Sequence, residues 1–222
     1  MVSLSLQGQD IVISNWFLGE TEIIQTTRHF RRADLGTYSY TDSEKKYILE
    51  QQYLSPTYNP SSIDNFALEA PLRFNAYNGQ MEFAKDGYIY YLKKEPGRTV
   101  EFLHNDDKYK VVDLFGALEF VLVEVEGKNS LWVRQSMDFI LPKQRATTYG
   151  YHIRARFRRN SDQYYLALEN DQLIELPTNK REFLGVFGNK SKKVERYMNK
   201  EGLNHRNEED LEKIIEYLNT LS

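Results

Sequence analysis

The chain has 222 residues, enough for one large domain or a domain with a small appendage, and 41% hydrophobic and 27% charged residues exclude disorder over most of its length. It contains no cysteine, which removes disulfides, thiolate metal sites and thiol nucleophiles together. A net charge of −3 argues against nucleic acid as a partner, because that calls for a clearly basic domain. The 16 Tyr and 12 Phe favour half-buried pleated surfaces, and so sheet over bundle.

At the N-terminus, Val2 to Leu6 and Asp10 to Ile13 read as strands, without the basic start and apolar run of a secretory leader. The longest apolar-rich stretch, Leu118 to Val125, is broken by Glu119 and Glu124. That is far short of the roughly 20 residues of a spanning helix, so an integral membrane protein is not expected. Either the protein is cytoplasmic, or this is a mature form whose leader has been removed. Thr41-Asp42-Ser43-Glu44 predicts a capping box opening a helix through Leu54, and Pro56, Pro60, Ser61 and Ser62 then predict a loop or linker. Residues 1–62 form the first segment, mixed in character.

A β domain is expected over 63–177. Its clearest signal is Leu72 to Tyr77, then Asn78-Gly79, then Gln80 to Lys85. Asn-Gly supplies the two positive-φ positions of a type I′ turn, which sets Ala76 opposite Met81 and Phe74 opposite Phe83, with Arg73, Asn75, Glu82 and Gln80 on the other side. Further strands follow at short intervals: Tyr88 to Leu92, Arg98 to Leu103, Tyr109 to Leu114, Leu118 to Val125, Ser130 to Arg134, Tyr151 to Phe157 and Gln163 to Leu168. This spacing predicts an antiparallel meander, as an open sheet, sandwich or barrel.

After Pro177 the period changes to that of helices, and residues 178–222 predict three short ones packed on the β domain. Thr178 or Asn179 caps the first, ended by Gly188; Asn189 or Ser191 caps the second, ended near Gly202; Asn207 caps the third. In the third, Leu211, Ile214, Ile215 and Leu218 make one apolar face, and Glu209 with Lys213 an i, i+4 pair. The fold class is therefore α+β.

Asp162 to Leu166, Asn179 to Leu184 with Phe187, Lys192 to Tyr197 and Glu208 to Asn219 resemble the C-terminal half of a large family of uncharacterised proteins from Bacteroidetes. Pro71 to Tyr77 with Met81 to Phe83 is similar to the same family's central region, so the resemblance covers roughly residues 70 to 222. It implies a periplasmic or envelope address, which favours the mature-form reading of the N-terminus. It implies no active site.

Chemistry concentrates in one place. From Arg134 to Arg159 seven cations face one anion, Asp138, leaving nine net negative charges on the remainder. In a strand from Tyr151, the residues Tyr151, Ile153, Ala155 and Phe157 point inward while His152, Arg154, Arg156 and Arg158 line the outer face. Arginine forks carboxylate and phosphate well, so the row is a candidate site for a polyanion: an acidic protein surface, an anionic lipid or a glycolipid. The commoner outcome is neutralisation by acidic residues of a neighbouring strand. Arg28-His29-Phe30-Arg31-Arg32 repeats the Phe-Arg-Arg step, and Arg31 and Arg32 join the candidate surface if the segments adjoin.

No catalytic, cofactor or metal residue is assigned, since phosphate loops, nucleophile elbows and His-Glu-x-x-His are lacking. His104 with Asp106 and Asp107 reads as a polar turn rather than a metal site. Tyr88, Tyr90 and Tyr91, or Tyr164 and Tyr165, form a stacking platform or, more simply, packing. The reading that follows is a non-enzymatic envelope protein that binds another protein, as an accessory subunit of an outer-membrane assembly. The alternative is a hydrolase or ligand-binding β protein whose site is assembled only by the fold. If the basic row binds an anionic partner, charge reversal at Arg154 and Arg156 abolishes that binding in a pull-down; unchanged binding disposes of the idea.

Overall fold

The computed structural model describes residues 2–6, 9–13, 15–18, 21–24, 40–64, 66–85, 88–144, 152–169 and 172–221. Strands β1 (Val2–Leu6) and β2 (Gln9–Ile13) pair as a ribbon of their own. β3 (Asn15–Leu18) and β4 (Thr21–Ile24) form a second hairpin. Helix α1 (Asp42–Glu50) opens on the expected capping box, with the Thr41 hydroxyl accepting from the Glu44 amide and the Glu44 carboxylate accepting from the Thr41 amide. It ends four residues sooner than expected, because Tyr53 leaves the helical path to bridge Asn75.

The main sheet follows from β5 (Asn59–Ile63), β6 (Phe66–Asn75), β7 (Gln80–Lys85), β8 (Tyr88–Leu92), β9 (Thr99–Phe102), β10 (Lys108–Leu114), β11 (Ala117–Val125), β12 (Ser130–Arg134), β17 (Gln163–Ala167) and β18 (Leu173–Glu175). Ten strands run antiparallel in the order β18-β17-β12-β11-β10-β9-β5-β6-β7-β8, and β4 adds its hairpin to the β8 edge. The sheet curls into a half-barrel. Residues from β5 to β12 turn one face to a shared interior, where Leu72, Met81, Leu92, Val100, Val111, Phe120 and Val133 are buried. β13 (Met137–Ile140) pairs with β16 (Arg156–Arg159), and β14 (Lys143–Gln144) with β15 (His152–Ile153), as two small ribbons.

Two expectations are corrected here. The supposed linker around Pro60 is β5, flanked by β6 and β9 in the middle of the sheet, so the boundary drawn at 62 falls within a strand. Proline is ordinarily kept to sheet edges because it cannot donate to the ladder. Here Pro60 lies directly opposite Pro71, and its carbonyl accepts from the Leu103 amide at 3.0 Å, so its nitrogen faces the β9 side just beyond the last β5–β9 pair, Ser61 with Phe102.

The second correction is the hairpin at Asn78-Gly79. Phe74 faces Met81 and Asn75 faces Gln80, so four residues, 76–79, make the loop and the register is displaced by two. An even displacement keeps every side chain on its expected face. The cause is tertiary. Ala76 donates to the Gln52 carbonyl and accepts from the Met137 amide, which removes it from the ladder. The Asn75 side chain meanwhile accepts from the amides of Tyr77 and Asn78, and Gly79, at φ +64°, closes the loop through the Asn75 carbonyl.

Beneath that loop lies a buried polar cluster. Glu82, 1% exposed, accepts from Nε and Nη2 of Arg73 at 3.2 and 3.0 Å and from the Asn75 amide nitrogen at 2.7 Å. The guanidinium also donates to the Tyr53 hydroxyl at 2.6 Å, and its carbon lies 3.6 Å from the Tyr53 ring centre and 4.2 Å from that of Tyr58. Burial raises the pKa of both tyrosines. Both stay neutral.

The C-terminal helices are α2 (Lys180–Val186), α3 (Ser191–Glu201) and α4 (Glu208–Thr220). Asn179 caps α2, Asn207 caps α4, and Gly202 ends α3 at φ +69°, as expected. Neither Asn189 nor Ser191 caps α3, which instead continues from a 3-10 turn over Gly188–Lys190. Lys213 approaches Asp210 at 3.9 Å rather than Glu209. Phe183, Val194, Met198, Leu211, Ile214, Ile215 and Leu218 form one buried cluster with Val125, Leu131 and Leu166 of the sheet. The end of α4 is pinned by Asn219, whose side chain bonds both the amide and the carbonyl of Asn129 at 2.8 Å.

Glu82→Leu strands the Arg73 charge and is expected to lower unfolding free energy by about 3–5 kcal/mol in urea titrations. The double variant Arg73→Met with Glu82→Leu loses markedly less than the sum of the two single losses. Strict additivity would show that the two side chains are not coupled.

Candidate functional site

The outer arginines of β16 and the residues before it keep the expected alternation: Arg154, Arg156 and Arg158 are exposed, while Ala155 and Phe157 are buried against Ile48 of α1 and Phe139 of β13. The strand itself is broken at 154–155. There the Ala155 amide donates to the Tyr40 hydroxyl instead of to a strand partner.

Two arginines of the row, and Arg159 beside it, carry carboxylates from α1, β13 and the connection after β16. Arg154 meets Glu44 of α1 at 2.6 Å, Arg158 meets Asp138 across the β13–β16 ladder at 3.3 Å, and Arg159 meets Asp162 at 2.7 Å. Hydrogen bonds from Thr41, reinforced by Arg154, hold the Glu44 carboxyl below its ordinary range. Those from Asn160 and Arg158 do the same for Asp138. Exposed pairs of this kind contribute little to stability, because water screens them. They nonetheless mean that any external anion competes with carboxylates already in place. Among the described residues Arg156 has no ion pair. The side chain of His152 lies outside the described residues, as do Arg31 and Arg32, so adjacency of the two Phe-Arg-Arg steps is not among the described contacts.

The other sequence candidates separate in the same way. His104 to Asp107 is a turn in which the Asn105 side chain donates to Asp107 at 2.6 Å, and no group of three metal-ligating side chains occurs among the described residues. The tyrosine platform is not assembled: Tyr90, Tyr91 and Tyr165 are buried and Tyr88 is exposed. Among the described residues no helix is long and apolar enough to cross a membrane.

A different surface was not anticipated. On the outer face of β10, β11, β12 and β17, Val112, Leu114, Val121 and Tyr165 are buried together, with Trp132 and Leu173 packed on them. A groove of about 450 Å³ runs beside this cluster, lined by Val112, Trp132, Leu168 and Leu173 and rimmed by Lys110, Asp113, Lys128 and Glu169. The β10–β11 hairpin turns through Phe115 and Gly116, both at positive φ (+55° and +95°). Here is the tight two-residue turn that Asn78-Gly79 was expected to make.

Phe115 is an unfavourable residue for that turn. An aromatic L-residue in the left-handed region costs about 1–2 kcal/mol, and Phe115 recovers little of it by burial, being 70% exposed with its ring 6.2 Å from Tyr165. A signal for the surface was legible: alternation along Ser130 to Arg134 places Trp132 on the same face as Ser130 and Arg134, an indole where a polar residue is expected.

Phe115→Asn creates the Asn-Gly pair that this turn prefers and is expected to raise stability by about 1 kcal/mol, read from the urea midpoint. A lower midpoint would mean that the exposed ring contributes packing which this geometry does not reveal.

Compared with known proteins, the chain matches no family model, no curated protein and no solved structure.

Proposed function

We propose that the chain is a non-enzymatic, protein-binding component of the cell envelope, an accessory subunit of an outer-membrane assembly, and that its partner sits on the outer face around Phe115 and Trp132. The observation that carries this reading is Phe115. A large aromatic side chain is held exposed in a backbone conformation that disfavours it, with its ring 6.2 Å from that of Tyr165 in the outer-face cluster. Local strain retained without local gain points to a task outside the folded monomer. Aromatic anchors flanked by a polar rim are the usual centre of a protein interface.

The envelope address rests on the family resemblance over residues 70 to 222. Arg156, exposed and without an ion pair among the described residues, is the member of the basic row open to an acidic group of the partner or of an anionic lipid beside it. The concave face of the sheet, by contrast, is occupied by the protein's own core.

Affinity purification of the native protein from its source tests the reading. The same envelope protein is expected to accompany the wild type and to be depleted at least tenfold from Phe115→Asn, which keeps the fold. Reproducible recovery of the wild type alone, or undiminished recovery of the partner with Phe115→Asn, would overturn the proposal.

A further inference from the structure

The groove beside Trp132 holds polar groups that the fold leaves unspent. β10 contributes Lys110 and Asp113 to it, and β12 contributes Trp132. Lys110 has no ion pair among the described residues, and its ammonium lies 6.0 Å from the centre of the Trp132 ring. One oxygen of Asp113 accepts from the Gly116 amide at 2.5 Å, which fixes the carboxylate and leaves its other oxygen without a donor among the described residues. The Trp132 ring is half-buried, and its N–H has no acceptor among the same residues.

The two other charged groups of the rim, Lys128 and Glu169, lie 3.7 Å apart and answer one another. That leaves one cation and one anion, so the groove carries no net charge and favours neither sign of ligand. The turn through Gly127 and Lys128, which also lines it, is fixed from behind by α4. Asn219 holds the amide and the carbonyl of Asn129, and a β-carbon at Gly127 would lie 2.8 Å from the Asn219 side-chain nitrogen. The groove is therefore preformed on strands and a braced turn.

We propose that this groove binds a neutral saccharide, with one pyranose ring stacked on the Trp132 indole and neighbouring hydroxyls bonded to Lys110, Asp113 and the indole N–H. A pyranose presents an apolar face of C–H groups, which suits the negative face of an aromatic ring, and a perimeter of hydroxyls that both donate and accept. Such a ligand needs donors and acceptors but no net charge. The volume of about 450 Å³ lies within the range of small-ligand clefts, about 300–1,000 Å³, and accommodates a short oligosaccharide.

An amino-acid zwitterion would also meet one charge of each sign. Asp113 is exposed and Lys110 half-buried, so water screens both charges and a charged ligand gains little from them. Stacking on the indole is apolar burial, which water does not screen. That favours the sugar. The site goes beyond the partner surface proposed at Phe115, a residue that does not line the groove.

The chain has two tryptophans, so Trp16→Phe leaves Trp132 as its sole indole. Emission from Trp132 in that full chain is followed as the methyl glycosides of glucose, galactose, mannose and N-acetylglucosamine, then maltotriose and cellotriose, are added. At least one is expected to shift it to shorter wavelength, with a midpoint of about 1–10 mM. If Trp16→Phe does not fold, the wild type read against Trp132→Phe serves instead. Lys110→Met and Asp113→Asn, which keep the size of each side chain, are expected to weaken binding about tenfold. Phe115→Asn is expected to leave it unchanged, so the saccharide site and the partner surface fail independently. No shift with any sugar up to roughly 100 mM, an unaltered midpoint in both β10 variants, or tighter binding of leucine than of every sugar would overturn the proposal.

Discussion

Placing a carboxylate in a protein interior is tolerable only when its charge and its lone pairs are answered, and Glu82 is answered from two directions. Arg73 supplies the charge and Asn75 the second donor, both from the neighbouring strand β6. Because Arg73 also stacks on Tyr53 and Tyr58 and bonds the carbonyl of Pro56, the cluster holds the segment after α1 down on the outer face of the sheet. Helix α1 is thereby placed. Glu44 and Ile48, which it carries, are the residues that meet Arg154 and the underside of β16.

The same cluster reaches the basic strand by a second route. Asn75 organises the loop 76–79, Ala76 of that loop accepts from the Met137 amide at the head of β13, and β13 pairs with β16. Tyr77 then lies edge-on to Phe157, 5.0 Å between ring centres. The position of the exposed arginines thus depends on a carboxylate buried beneath another part of the sheet. Their neutralisation by Glu44, Asp138 and Asp162 is a consequence of the same arrangement.

At the other end of the sheet the balance differs. The helical module is held by apolar burial and by the Asn219–Asn129 pair, interactions that do not titrate. One end of the sheet is thus tied by a buried ion pair and the other by apolar contact. Between them, on the outer face, Phe115 is held at positive φ with its ring 6.2 Å from that of Tyr165.

Local chemistry alone determined much of this. Asn179 and Asn207 cap helices because their side chains reach amides two and three residues on, Gly202 ends α3 because it adopts positive φ without penalty, and alternation assigned Phe74, Met81, Ala155 and Phe157 inward whatever their partners. Other features depend on residues remote in the chain. The turn at Asn78-Gly79 is open because Gln52 and Met137 take the backbone bonds of Ala76. Pro60 lies within the sheet at the end of the β5–β9 pairing, where its carbonyl still accepts from Leu103, and burial, then Glu208 and Glu212 of α4, push the Glu124 carboxyl up to about 7. Caps and alternation are satisfied within a few residues, so they are written in the sequence. Register, burial of charge and the environment of a carboxyl are settled by whichever distant groups arrive beside them, and only the tertiary structure supplies those.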